Sequence, residues 1–167
     1  VTLSTKHLYN LVKNASQASA NEFIELIENS IHRLGCETET RHTGALQILG
    51  RLVKIPSQGK VTIVGDIHGD LDSLAYILKN SGFFEKNLKD KDTYLIFLGD
   101  YGDRGVHSPE VYYIILKLKE QSSENVILMR GNHEGPDDLL ASPHDLPMQL
   151  EEKFGENGQA DYLKLRE

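Results

Sequence analysis

Tyr94-Leu95-Ile96-Phe97-Leu98-Gly99-Asp100-Tyr101-Gly102-Asp103-Arg104-Gly105 decides how the rest of the chain is read. The near-continuous apolar run predicts a strand with both faces covered. It breaks at a glycine into a loop carrying two aspartates and an arginine. Two other stretches have the same form. Val61-Thr62-Ile63-Val64 leads into Gly65-Asp66-Ile67-His68-Gly69, and Val126-Ile127-Leu128-Met129-Arg130 leads into Gly131-Asn132-His133-Glu134. Each is an apolar run, then a glycine, then side chains of metal-ligand type. The pattern predicts three strands that deliver ligands from loops at their carboxyl ends, with the Gly99–Gly105 loop at the centre.

Helical patterns separate these strands. Leu71, Leu74, Ala75 and Leu78 share a face of a helix predicted over Asp70–Lys79, which Asn80-Ser81-Gly82 ends. Phe83 and Phe84 should pack back on the core, and Asn87–Asp92 reads as a charged surface loop. Ser108-Pro109-Glu110 opens a second helix running to about Glu120, with Ser108 as N-cap and proline at the first helical position. A strand over Asn125–Met129 follows. Strand, helix, strand, helix, strand is the α/β pattern of a mostly parallel sheet, whose sites lie at the carboxyl ends of the strands.

The flanks are plainer. A short helix is predicted over Ser4–Lys13. An amphipathic one starts at Asn21, carries Phe23, Ile24, Leu26, Ile27, Ile31 and Leu34, and should stop at Gly35. His32 and His42 in this region read as ordinary surface histidines. Leu46–Ile55 is extended in its latter half, and Pro56-Ser57-Gln58-Gly59 is a turn signal, so residues 52–64 are expected to form a hairpin. Leu146–Phe154 reads as a helix stopped by Gly155, and a further element begins near Asp161.

At 167 residues the chain is expected to be one domain with a real core: a helical segment over residues 1–45, then the motif-bearing part over 50–135. A net charge of -7 argues against a nucleic-acid partner. It does not exclude a phosphorylated substrate, since bound cations reverse the local field. The single Cys36 cannot form an internal disulfide, there is no membrane-length apolar run, and no signal peptide is evident. These features predict a cytoplasmic protein without a membrane partner. The first residue, Val1, is expected to follow a trimmed start.

Asp66, His68, Asp100 and Asn132 offer two carboxylates, an imidazole and an amide oxygen, a set that suits manganese, iron or zinc. Asp66 and His68, two residues apart in an extended segment, would point the same way and hold one ion together. Asp100 can use both oxygens to bridge that ion and a second. Two ions about 3.5–4 Å apart can clamp a phosphoryl group and ionise a water. Asp103 is better used to orient His133, which would then protonate a leaving oxygen. Arg104 offers a planar fork for phosphate oxygens. A Gly-Asp pair after one strand is commonly just a turn. Three such loops in order on consecutive strands carry far more weight.

The three loops resemble the signature motifs of the phosphoprotein phosphatase family of serine/threonine phosphatases, which belongs to the calcineurin-like metallophosphoesterases. The resemblance covers about residues 50–135. Asn80-Ser81-Gly82-Phe83 and Leu128-Met129-Arg130 fit it as well. The stretch Gly135-Pro136-Asp137-Asp138-Leu139-Leu140, with Pro143-His144-Asp145-Leu146-Pro147, looks more like the archaeal branch. The resemblance implies an α/β fold: a two-sheet β-sandwich flanked by helices in four layers, here only its first part. It implies two divalent ions, manganese first, with iron or zinc as alternatives. Asp66 and His68 would bind the first ion, Asp100 would bridge, and Asn132 would bind the second and touch substrate phosphate. His133 would be the acid, oriented by Asp103, and Arg104 would contact phosphate. The implied reaction removes phosphate from phosphoserine or phosphothreonine of a protein or peptide by direct attack of a metal-bridging hydroxide.

Two departures stand out. Gly102 replaces the family's usual valine, which predicts a looser loop beside Asp103. The family also supplies two more histidines and a second arginine from its carboxyl-terminal half. Here His144 is the only histidine after His133, outside any matching motif. The chain alone is therefore expected to be weakly active or inactive, and to expose apolar surface that the full fold covers. Two other functions compete. A dinucleoside tetraphosphatase or other small-molecule metallophosphoesterase uses similar loops, though Glu134 and Tyr101 favour the protein phosphatase. A non-catalytic metal-binding or interaction module would explain the absent histidines, but the intact ligands weigh against it.

Overall fold

A computed structural model describes residues 3–86, 92–135 and 141–166. Helices α1 (Leu3–Gln17) and α2 (Ala20–Thr40) lead into three short strands, β1 (His42–Thr43), β2 (Leu46–Leu49) and β3 (Leu52–Lys54). Next come β4 (Lys60–Val64), α3 (Leu71–Ser81), α4 (Phe83–Lys86), β5 (Thr93–Phe97), α5 (Ser108–Gln121) and β6 (Val126–Leu128). Helix α6 (Leu146–Phe154), a 3-10 turn at Gly155–Asn157, and α7 (Gly158–Leu165) follow. This is the mixed α/β class that the alternating pattern predicts.

The three apolar runs form a parallel sheet in the order β4-β5-β6. Val64 lies opposite Phe97, and Phe97 opposite Leu128, so the three loops emerge side by side. Strand alternation sends Val64, Leu95, Phe97 and Val126 into the helical core, where Leu74, Leu78, Val111, Tyr113, Ile115 and Phe23 are also buried. The opposite face sends Tyr94, Ile96 and Ile127 against Leu46, Val53 and Ile55. The antiparallel β1-β2-β3 sheet thus packs under β5 and β6, giving helices, parallel sheet and small sheet as successive layers. This second layer stops short of β4. Ile63 is 63% exposed and Leu98 49% exposed, an open apolar strip of the kind expected from the motif count.

Three local expectations are corrected. Gly35 does not end α2, which runs on to Thr40 and ends with Arg41 in the left-handed conformation at φ 61°. The extra turn carries Glu37, whose Oε2 accepts from Lys119 Nζ at 2.8 Å in a buried ion pair. That tertiary contact outweighs a mid-helix glycine's cost of about 1 kcal/mol. Residues 52–64 do not form a hairpin. β3 pairs with β2 across the Gly50-Arg51 turn, whereas β4 pairs in parallel with β5. Pro56–Gly59 therefore links two sheets. Ser108 does not cap α5 either: His107 holds the cap position without a side-chain bond, and the Ser108 hydroxyl accepts from Asp103 N–H at 3.1 Å.

Other boundaries agree with the periodicity. Asp70 caps α3 through Ser73 N–H at 2.9 Å, and Gly82 ends it in the left-handed region. Phe83 and Phe84 are buried. Segments 87–91 and 136–140, with most of the charged loop and the first part of the archaeal-like stretch, lie outside the described residues. Among the described residues no helix is long and apolar enough to cross a membrane.

Candidate active site and metal centre

The three loops are stitched together through their backbones. Ile67 and His68 N–H both donate to the Asp100 carbonyl, at 3.0 and 2.9 Å, and Gly69 N–H donates to the Tyr101 carbonyl at 2.8 Å. The third loop joins through Glu134. Its Oε2 accepts from Asp100 N–H at 2.6 Å and Gly131 N–H at 3.1 Å. Its Oε1 accepts from Tyr101 N–H and the Tyr112 hydroxyl, both at 2.9 Å. Asp100 Oδ1 in turn accepts His133 N–H at 2.9 Å. Gly131 lies so close to Asp100 that a Cβ would collide with the carboxylate. Positive φ angles at His68 (49°), Asp100 (53°), Asp103 (64°) and Arg104 (67°) concentrate backbone strain here.

Asp66, His68 and Asp100 come together, with one donor atom from each within 4.8 Å of the others. His68 Nδ1 donates to the Gly102 carbonyl at 2.9 Å, which leaves the Nε2 lone pair for a ligand. That Nε2 is buried and has no hydrogen-bond partner among the described residues. An orphaned buried imidazole nitrogen beside two carboxylates fits a divalent cation. Asp100 is buried, whereas the Asp66 side chain is 67% exposed, so the cluster opens to solvent on one side. Convergence arises differently from expectation. His68 sits in a left-handed turn rather than an extended segment, and that turn swings its ring toward Asp66.

Asn132 is exposed, between Gly131 and His133, each of which touches Asp100. It lines a cleft of about 720 Å³ together with Met129, Ile48 and Val53.

His133 and Asp103 form a buried pair, with His133 Nδ1 at 2.7 Å from Asp103 Oδ2. The His133 ring meets the His68 ring edge-on at 4.7 Å between centroids, beside the candidate metal ligands. Arg104 Nη2 lies 3.1 Å from His133 Nε2, and the Arg104 N–H donates to Asp145 Oδ1 at 3.1 Å. Burial pushes the Asp103 carboxyl up. Hydrogen bonds from His133, the Leu146 backbone and His144 together outweigh it and hold the carboxyl below its ordinary range.

Gly102 leaves no slack beside Asp103, contrary to expectation. A Cβ at that position would press on Tyr112 Cε2 at 2.9 Å, with Ser108 and Leu146 close behind, so neighbouring side chains already fill the space. The structure brings Asp66, His68, Asp100, Asp103, Arg104 and His133 into one locale. The sequence pattern overlooked the tie made by Glu134, although that residue closes the third motif. It also set His144 aside, whose only signal was being the one histidine after His133.

Several known proteins resemble the chain in sequence. The profile described as calcineurin-like phosphoesterase matches residues 59–165. The serine/threonine-protein phosphatase 7 of Arabidopsis thaliana is 34% identical over 110 residues, 66% of this chain and 25% of that protein. The serine/threonine-protein phosphatase SIT4 of Candida albicans is 40% identical over 79 residues, 47% of this chain and 24% of that protein. A solved serine/threonine phosphatase of Saccharomyces cerevisiae superposes with a TM-score of 0.49 at 18% identity, covering 98% of this chain and 42% of that one. The chain belongs to the calcineurin-like phosphoesterase family. It spans a quarter or less of the length of the first curated relatives it matches.

Proposed function

We propose that this domain belongs to a metal-dependent protein phosphatase that releases phosphate from phosphoserine and phosphothreonine. The observation that carries the proposal is the bare, buried His68 Nε2 beside Asp66 and Asp100, with the His133–Asp103 pair against it. The names of the relatives support a phosphoprotein as substrate. We treat residues 1–167 as belonging to one catalytic domain, with the helical segment 1–45 ahead of the core 50–135. The free, exposed Cys36 supports a cytoplasmic setting.

Asp66 and His68 would hold one divalent ion, Asp100 would reach both that ion and a second, and Asn132 would serve the second. Mn²⁺ is the proposed metal, with Fe or Zn as alternatives. When bound, the ions supply positive charge for the phosphoryl oxygens and lower the pKa of water. The chain's own residues do the rest. Arg104 presents its fork to phosphate oxygens, and Asn132 adds an amide donor. Asp103 keeps the His133 proton on Nδ1, so Nε2 faces the reacting group. Arg104 donates to that Nε2 in this structure. Delivery of a proton from Nε2 to the leaving serine oxygen therefore requires two prior events: the guanidinium turns onto phosphate, and the vacated Nε2 takes up a proton from water, giving an imidazolium whose Nδ1–H stays on Asp103. That coupling makes phosphate binding the event that frees the acid.

The test is turnover in Mn²⁺ of a phosphoserine peptide beside a dinucleoside tetraphosphate. Absolute rates should be low for this chain, since His144 is the only histidine that follows His133. The phosphopeptide should nevertheless be cleaved faster, and Asp100→Asn should abolish the reaction. Preference for the tetraphosphate, or an unaffected Asp100→Asn variant, would overturn the proposal.

A further inference from the structure

Two imidazoles share one oxygen of Asp103. His133 Nδ1 lies 2.7 Å and His144 Nδ1 3.0 Å from the same Oδ2, while Oδ1 accepts the backbone N–H of Asp145 at 2.9 Å and of Leu146 at 2.8 Å. An ionised carboxylate only accepts, so both rings present Nδ1–H to it. The far side of His144 fixes the same direction. Its Nε2 lies 2.8 Å from the Tyr162 hydroxyl, and Arg166 Nη1 donates to that hydroxyl at 2.9 Å. A guanidinium cannot accept, so the Tyr162 proton is left for His144 Nε2. Donors therefore run one way, from Arg166 through Tyr162 and His144 to Asp103, and His133 meets them at the shared oxygen. Arg166 also donates through Nη2 to the Gly135 carbonyl at 2.6 Å, which ties this end of the chain to the Gly131–Gly135 loop.

We propose that His144, held by Tyr162, is a positioning residue for His133, acting through the shared Oδ2 of Asp103. With four donors the carboxylate cannot rotate about its own axis. Its plane sets the His133 ring, and the His133 proton stays on Nδ1 with Nε2 toward the site. The consequence for catalysis rests on the proposed role of His133 as acid, but the hydrogen-bond directions do not depend on turnover. A purely structural His144, packed on the Tyr162 ring at 5.3 Å between centroids, would affect stability without governing the His133 tautomer.

The experiment is long-range proton–nitrogen NMR of the metal-free chain carrying ¹⁵N-histidine, assigned by single histidine substitutions. Free histidine favours the Nε2–H tautomer, so the expected result is distinctive: His133 and His144 both appear as Nδ1–H tautomers. Tyr162→Phe should move His144 toward Nε2–H. Although it does not touch His133, it should also speed exchange of the His133 Nδ1 proton with water about tenfold, the effect of weakening one charge-assisted hydrogen bond. His144→Gln should give the same change at His133, and Tyr162→Phe carries the test if that variant does not fold. Wild-type His144 in the Nε2–H form, or an unmoved His133 signal in a folded variant, overturns the proposal. The phosphatase reading is judged by turnover and metal binding, so either can fail without the other.

Discussion

Asp100 donates its backbone N–H to Glu134 Oε2 at 2.6 Å, joining the central loop to a residue 34 positions away. The same carboxylate accepts three further donors, so one buried side chain sets the geometry of two motifs. Glu134→Gln puts an amide NH₂ where two of these donors now point. Each donor left without a partner costs about 1–3 kcal/mol. Urea denaturation should show that loss, and Mn²⁺ affinity should fall as Asp100 shifts. Tyr112→Phe removes one donor and should cost about 1 kcal/mol. Equal stability of Glu134→Gln and wild type would show that the carboxylate is incidental.

Lys119 Nζ donates to Glu37 and to the carbonyls of Ser123 and Val126, pinning the last turn of α2 to α5 and β6. Burial lowers the Lys119 pKa, and the Glu37 hydrogen bond and charge oppose that. Lys119→Met leaves Glu37 buried and unpaired and should cost about 3–5 kcal/mol by chemical denaturation. Adding Glu37→Leu should recover part of that loss. A double variant as unstable as the single one would contradict the pairing.

Stability should fall at both ends of the pH range. The Asp103 carboxyl sits below its ordinary value in the fold, so its contribution is complete above the ordinary carboxylate range and is lost as pH drops through the folded value. Tyr101, Tyr112 and Tyr113 are pushed up, chiefly by burial and then by Glu134 or Glu22. Their contribution is complete below about pH 10 and is lost as pH rises beyond it. Tyrosinate absorbance followed with circular dichroism should show these three ionising only as helix signal disappears. Titration of all the tyrosines together near their ordinary range, with the fold intact, would contradict this.

Much of the site was legible because its ligands follow directly on strands. An apolar run followed by Gly-Asp fixes where Asp66 and Asp100 emerge, and β4-β5-β6 need only pair in parallel to bring them together. What could not be read depends on contacts between distant segments. Gly35 looks like a helix stop until Lys119 is known to hold Glu37 beyond it. Pro56–Gly59 looks like a hairpin turn because local pattern does not reveal that β4 pairs with β5. His144 carries no motif, and its place on Asp103 exists only once α6 and α7 fold back over the central loop.

The most direct test of the metal-centred account is calorimetric titration of the metal-free chain with Mn²⁺. Wild type should bind an ion through Asp66, His68 and Asp100. Asp100→Asn should lose more than about 100-fold in affinity, beyond the usual effect of a residue that only supports a ligand. Asp103→Asn should bind as wild type does. Equal affinity in wild type and Asp100→Asn would contradict the assignment of this cluster as the metal centre.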